Sequence, residues 1–410
     1  MAPRRYEGFT PLVMNDSSTY VVLQTPPGRA AVATLLVEGP RSLKFVSRSF
    51  RPHAKWPLEK FPLGRVVLGT WEPQTTSGNG DPASVLGEEL IVCRLDERRI
   101  EIHCHGSRAA LDAVVFSLTR QGALSRGWRD HARATQDDPL IAEALIALVS
   151  ATTDRTAGIL LDQVNGAFSA AMQDIDRALL EARPNLAIDQ LRGILEFTAL
   201  GQHLTRPWSV VLAGPPNVGK SSLLNRLLGF DRAIVFNQPG TTRDVVTSHA
   251  SIDGWPVDLA DTAGLRDSHD SLEREGVEHA RRQLSEADLV LVVRDVSGCH
   301  QENPAESDVP AGTPILRVLN KIDLLAGSGH DFGEGVATSA VTGEGMDALR
   351  QAISTALVPR VPQASDAVPF VPAQGPALGQ LLTLVEQGDL SSAREVLKNL
   401  RLLRSSDVPS

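Results

Sequence analysis

The run GPPNVGKS at residues 214–221 constrains this chain more than any other stretch. It fits G-x-x-x-x-G-K-[ST] and lies between an apolar segment, WSVVLA, and a helix-forming one, SSLLNRLL. A loop of this composition between strand and helix is a phosphate cradle: its glycines let the backbone approach closely, and its N–H groups and the helix N-terminus attract negative charge. Lys220 then reaches the β and γ phosphates of a nucleotide, and Ser221 offers a hydroxyl to magnesium. The motif therefore predicts that Asn217, Val218, Gly219, Lys220, Ser221 and Ser222 line the phosphates.

From TRPWSVVLAG to about residue 357, apolar strands alternate with helices, the pattern of a doubly wound parallel sheet, which assigns 207–358 to an α/β domain. DTAG, at 261–264, ends a second apolar strand. It brings Asp261 near the magnesium, with Thr262 and Ala263 alongside and the Gly264 N–H in position to sense a γ phosphate. NKID, at 320–323, follows the strand PILRVL and brings Asn320, Lys321 and Asp323 to the base. A carboxylate at Asp323 accepts two hydrogen bonds from the N1 and N2 edge of guanine; adenine lacks that edge, so the site selects GTP over ATP. TSA at 338–340 supplies Ser339 and Ala340 as a base-contacting loop.

Between cradle and DTAG lies NQPGTTRDVV, a switch loop in which Thr241 or Thr242 ligates magnesium when the γ phosphate is present, with Thr242 favoured. Leu265 stands where many regulatory GTPases carry a glutamine that orients the attacking water, so another group must do that work.

The 410 residues allow two or three domains. Residues 20–120 read as strands and turns (TYVVLQ, AAVATLLVEG, GRVVLGTW, EELIVCRL, RRIEIHCHG) followed by an apolar helix, which makes 1–122 an α+β domain. From 140 the period becomes helical: Leu145, Leu148, Val149 and Thr152 are spaced i, i+3, i+4, i+7, and Leu160, Leu161 and Val164 continue the stripe. Residues 123–206 are thus the first part of a helical domain. The Pro-rich stretch VPRVPQASDAVPFVPAQGP reads as a linker over 359–375. Two short helices in 376–410 need a partner, since such helices are marginal alone. The region before 205 provides one, so the α/β domain is inserted within the helical domain.

With 42% hydrophobic and 22% charged residues, and no apolar run of bilayer length, the chain has the balance of a soluble protein without a membrane partner. Its start lacks the pattern of an export signal, which points to the cytoplasm. A net charge of −9 excludes broad electrostatic coating of nucleic acid; DNA is not an expected partner, and any RNA is held locally or jointly with another protein. Cys93, Cys104 and Cys299 are too scattered for a disulfide framework or CxxC metal site. His103 and His105 share one face of a strand with Cys104 on the other, and with no third ligand evident, strand packing is the expectation.

In this order, GPPNVGKSS, GTTRD, DTAGLRDSHDSLEREG and NKID resemble the motifs GRPNxGKSS, GTTRD, DTAGLR…VExxG and NKxD of the tRNA-modifying GTPases called MnmE or TrmE. Elsewhere, TPPGRAAVATLLVEGP is similar to that family's TPPGRGGxGxxRxSGP, EIHCHG to EIHxHGG, and AEALIALVSATTDRTAGILLDQVNGA to its helical domain, so the likeness covers most of the chain. It implies a GTPase (G) domain within a helical domain, preceded by a folate-binding and dimerising α+β domain. It also implies a potassium ion held by Asn217 with Phe236, Gln238 and Thr241. Asn237, Pro239, Gly240 and Thr242 complete the nucleotide-contacting switch loop, and Glu273 is the catalytic residue, acting through a bridging water. As partners it implies a second copy of the chain, an FAD-dependent protein and tRNA, whose wobble uridine is modified with a folate one-carbon unit.

Four departures bear on that chemistry. The family ends in C-x-G-K, whereas this sequence ends RLLRSSDVPS with no cysteine after Cys299. Leu36 replaces an arginine, Gln136 a lysine, and CRLDERR stands for SYTGED, leaving Glu101 as the remnant of a folate site. The alternative is a dimeric GTPase switch without folate or tRNA chemistry, serving another assembly such as the maturing ribosome.

Overall fold

The structure is a computed structural model that describes residues 17–26, 30–72, 87–230, 248–261, 281–296, 306, 309–325 and 335–405. These fall into two compact units divided between Asp137 and Asp138.

The first unit contains β1 (Tyr20–Leu23), β2 (Val32–Glu38), α1 (Ser42–Ser49), β3 (Phe50–Pro52), β4 (Val66–Trp71), β5 (Glu88–Arg94), β6 (Arg99–His105), α2 (Arg108–Arg120), β7 (Leu124–Arg126) and α3 (Trp128–Thr135). The sheet order is β3-β4-β5-β6-β2-β1-β7. β7 runs parallel to β1, while the other pairs are antiparallel. Alternation decides which face is covered. β6 buries Ile100, Ile102 and Cys104 with Phe45 and Val46 of α1 and Val114 and Leu118 of α2, while Glu101 and His103 point to the other face. Trp71 is fully buried in this core, and its indole N–H donates to Ser117 Oγ at 3.0 Å, which meets the polar demand of a buried tryptophan.

The second unit begins with five helices, α4 (Pro139–Leu148), α5 (Asp154–Val164), α6 (Ala167–Leu180), α7 (Pro184–Leu195) and α8 (Thr198–Gln202). Side-chain caps start two of them: Asp138 accepts from Leu140 N, and Thr153 from Thr156 N. Then come β8 (Trp208–Ala213), α9 (Lys220–Phe230), β9 (Ser248–Ile252), β10 (Trp255–Asp261), β11 (Leu289–Asp295), β12 (Ile315–Asn320), β13 (Val336–Ala337) and α10 (Met346–Leu357). The sheet order is β13-β12-β11-β8-β10-β9, parallel except for the β9–β10 hairpin. Helices α11 (Gln374–Glu386) and α12 (Leu390–Leu400) pack on α7 and α6 respectively.

The Pro-rich connection from α10 to α11 differs from a free linker. Val368, Phe370 and Val371 are buried, and Phe370 meets Phe168 edge-on at 5.6 Å. Backbone polar groups of this strap are met by side-chain amides rather than by a ladder. Gln163 donates to Asp366 O at 3.1 Å and accepts from Val368 N at 3.2 Å, and Gln374 Oε1 accepts from Phe370 N and Val371 N at 2.8 and 3.0 Å. Among the described residues no helix is long and apolar enough to cross a membrane.

Candidate functional site

β8, with Val210 to Ala213 buried, delivers the chain to the phosphate loop. Two glycines there have no substitute. Gly214 has φ +147° and a Cβ would lie 2.3 Å from Val293 O; Gly219 has φ +94° and a Cβ would lie 2.4 Å from Asn320 Nδ2. Asn217, between them, is also left-handed, at φ +64°. α9 begins at Lys220, so the loop ends on a helix N-terminus, where backbone N–H groups lack intrahelical partners. Lys220 is 4% exposed, and its ammonium donates to Gly214 O at 3.0 Å and Pro215 O at 2.9 Å, which holds the cation inside the loop. The next residue, Ser221, donates through Oγ to Asp261 Oδ2 at 2.6 Å, and Ser222 follows in the same helical turn.

The second loop follows β12. Asn320, 1% exposed, donates to Val218 O at 2.9 Å and accepts from Ala340 N at 3.1 Å, so it ties the phosphate loop to the 338–340 loop. Lys321 adopts φ +66°, donates to Asn217 O at 2.6 Å and pairs with Asp295 at 3.4 Å. Asp323 Oδ1 accepts from the fully buried Ser339 Oγ at 2.5 Å, which orients the carboxylate. Ser339 Oγ in turn accepts from Thr342 N at 3.1 Å.

The structure therefore brings Asn217, Val218, Gly219, Lys220, Ser221, Asp261, Asn320, Lys321, Asp323, Ser339 and Ala340 to one end of the parallel sheet, where doubly wound folds bind ligands. Phe236, Asn237, Gln238, Pro239, Gly240, Thr241, Thr242, Thr262, Ala263, Gly264, Leu265, Glu273 and Cys299 lie outside the described residues. Motif reading missed Asp295, whose only signal is its place at the end of β11, and Thr342, whose backbone supports Ser339.

The donor set fits a magnesium nucleotide. A hydroxyl and a carboxylate converge at Ser221 and Asp261, the oxygen ligands that magnesium takes beside phosphate and water. The glycine loop leaves backbone where any side chain would intrude.

In the first unit, Glu101 lies 3.5 Å from His103 Nε2, and across the sheet its partners are Leu36 and Cys93. His103 Nδ1 meets Thr34 Oγ1 at 3.1 Å and His105 Nδ1 meets Glu88 Oε1 at 2.6 Å, so both imidazoles are engaged in contacts on the sheet. Burial, and then the charge of Glu101, push the Cys93 thiol up.

The fold and the two loops define a P-loop GTPase. A family model described as "50S ribosome-binding GTPase" matches residues 209–321. The tRNA modification GTPase MnmE of Alkalilimnicola ehrlichii is 32% identical over 385 residues, covering 83% of this chain and 82% of that protein. The same-named protein of Legionella pneumophila is 32% identical over 373 residues (82% and 81%), and that of Bacillus velezensis 31% over 389 (82% and 82%). The chain belongs to the MnmE family of GTPases, and it hydrolyses GTP to GDP and phosphate.

Proposed function

We propose that this GTPase acts in modification of the wobble uridine of tRNA, with potassium-assisted hydrolysis as two G domains meet. One observation carries the reading: the likeness to MnmE proteins runs over 82% of this chain and 81–82% of theirs, well beyond the nucleotide site. The domain scheme goes with it: an α+β folate-binding-like domain expected at 1–122 and extended to 137 by β7, which pairs with β1, a helical domain in two parts up to 206 and at 376–410, a G domain at 207–358, and a connection at 359–375. Packing of α11 and α12 on α7 and α6 supports the insertion of one domain within the other.

In this scheme Ser221, Asp261 and Thr242 hold magnesium, which neutralises charge on the phosphates. Asn217, with Phe236, Gln238 and Thr241, holds potassium. The left-handed Asn217, whose carbonyl is tied down by Lys321, is a fixed point in the phosphate loop and supports that role. Glu273 orients the attacking water where Leu265 cannot. The chain works in the cytoplasm as a homodimer with a flavoprotein and tRNA.

Calorimetry with a reduced folate, together with tRNA nucleoside analysis of a deletion strain, tests the reading. Folate heat and loss of the modified uridine are expected. No heat and unchanged nucleosides, with GTP hydrolysis intact, would assign the chain to another assembly such as the ribosome.

A further inference from the structure

We propose that Arg155, which lies on α5 outside the nucleotide-binding sheet, is a positioning residue for the magnesium-binding end of β10. Its guanidinium donates through Nη1 to Asp253 O at 2.5 Å and lies over the indole of Trp255, 4.4 Å from the ring centroid. Asp253 and Gly254 have φ +50° and +79°, and Ile252 pairs with Trp255, so the two form a tight hairpin turn of the primed kind between β9 and β10. Gly254 is closed in by the same arginine: a Cβ there would lie 3.1 Å from Arg155 Cβ. The clamp thus has three parts, a charge-assisted hydrogen bond, a cation over an aromatic face, and a glycine that admits both.

The other end of the same strand is chemical. β10 starts at Trp255, which is fully buried, and ends at Asp261, whose carboxylate meets Ser221. The ends lie about 20 Å apart along the strand. From Val257 to Asp261 the strand is paired in register with β8, from Trp208 to Leu212. A one-residue slide would move the buried Val257 and Leu259 out of their own core to the face of Ala260 and carry Asp258 into that core, so the strand moves as a unit or not at all. Holding its first residue therefore sets where its last carboxylate stands. Arg155 makes the helical part of the unit a determinant of how well Asp261 meets a magnesium nucleotide, and reciprocally lets the bound state of the site tighten or loosen the helix contact.

Lysine keeps the charge but loses the planar face that stacks and the fork that donates, so the clamp distinguishes the two cations. The test follows release of a fluorescent GDP analogue from the full-length chain as free magnesium is raised. Arg155→Ala is expected to raise the magnesium concentration giving half-maximal slowing about three- to tenfold, with release in EDTA unchanged. Gly254→Ala should shift it the same way by crowding the arginine out, and Arg155→Lys should fall between wild type and alanine. A merely structural role would speed release equally with and without magnesium. That result, or equal magnesium midpoints in all three variants, would overturn the proposal.

Discussion

The side-chain amide of Asn320 donates to the carbonyl of Val218 at 2.9 Å, joining the phosphate loop after β8 to the loop after β12. Its oxygen accepts from Ala340 N, so the residue is a buried keystone with both ends occupied. Asn320→Asp replaces the donor with a carboxylate facing a carbonyl, at a cost of about 1–3 kcal/mol or more. GDP affinity is expected to fall by about tenfold or more together with the melting temperature; fluorescence titration and thermal melts check both.

Ser339 fixes the carboxylate expected to read the base. It is fully buried, and its hydroxyl donates to Asp323 Oδ1 at 2.5 Å. Ser339→Ala leaves the carboxylate in place but no longer oriented. Competition between GDP and inosine diphosphate, which lacks the 2-amino donor, should show the preference for GDP reduced by about tenfold, since hydrogen bonds to charged groups contribute about 1.5–3 kcal/mol.

The gathering of the candidate site's residues at one end of the sheet was legible because its signals are local. The phosphate loop, Asp261, Asn320, Asp323 and Ser339 each follow an apolar strand within a few residues, and the parallel sheet collects strand ends on one side. What was not legible depends on partners far along the chain. Arg155 meets a turn 98 residues away, and Gln163 meets a strap 203 to 205 residues away. That second contact explains why a Pro-rich segment read as a linker is packed: its spacing shows what it cannot be, a helix or central strand, but not that a distant glutamine would serve its backbone. The three-residue β7 and eight-residue α3 were too short for periodicity to register. Asn320 was assigned to the base from NKID, and only the fold reveals that it also braces the phosphate loop.

Stability should depend on pH through Asp288 at the foot of β8. Its carboxylate accepts from Ser209 N at 2.7 Å and lies 3.5 Å from His203 Nε2, while His203 stacks on Trp208 at 3.6 Å. Burial acts to raise its pKa, but the His203 and Ser209 hydrogen bonds and the charges of His203 and Arg206 together outweigh it, holding the carboxyl below its ordinary 3.8. A depressed folded-state pKa stabilises the fold above the unfolded value, and that stability is lost as pH falls through the folded one. Melting temperatures of Asp288→Asn and wild type, compared from about pH 5 down to about pH 1, should converge as the acid limit is approached.

Hydrolysis should run faster in potassium than in sodium by about tenfold or more, since the cation would supply the charge stabilisation that an arginine finger gives elsewhere. Glu273→Ala should slow turnover on the order of 100-fold while leaving GTP affinity nearly unchanged, the signature of a group acting in the transition state. Phosphate release assays in the two salts check both, and equal rates in sodium and potassium would remove Asn217 from cation binding.

The most direct measurement is calorimetric titration of the full chain with GDP and with ADP in the presence of magnesium. A site built on Asp323 and a phosphate loop opening α9 at Lys220 should bind GDP at least about 1,000-fold more tightly, because adenine leaves the carboxylate without donors. Comparable affinities for the two nucleotides, or binding of neither, would contradict it.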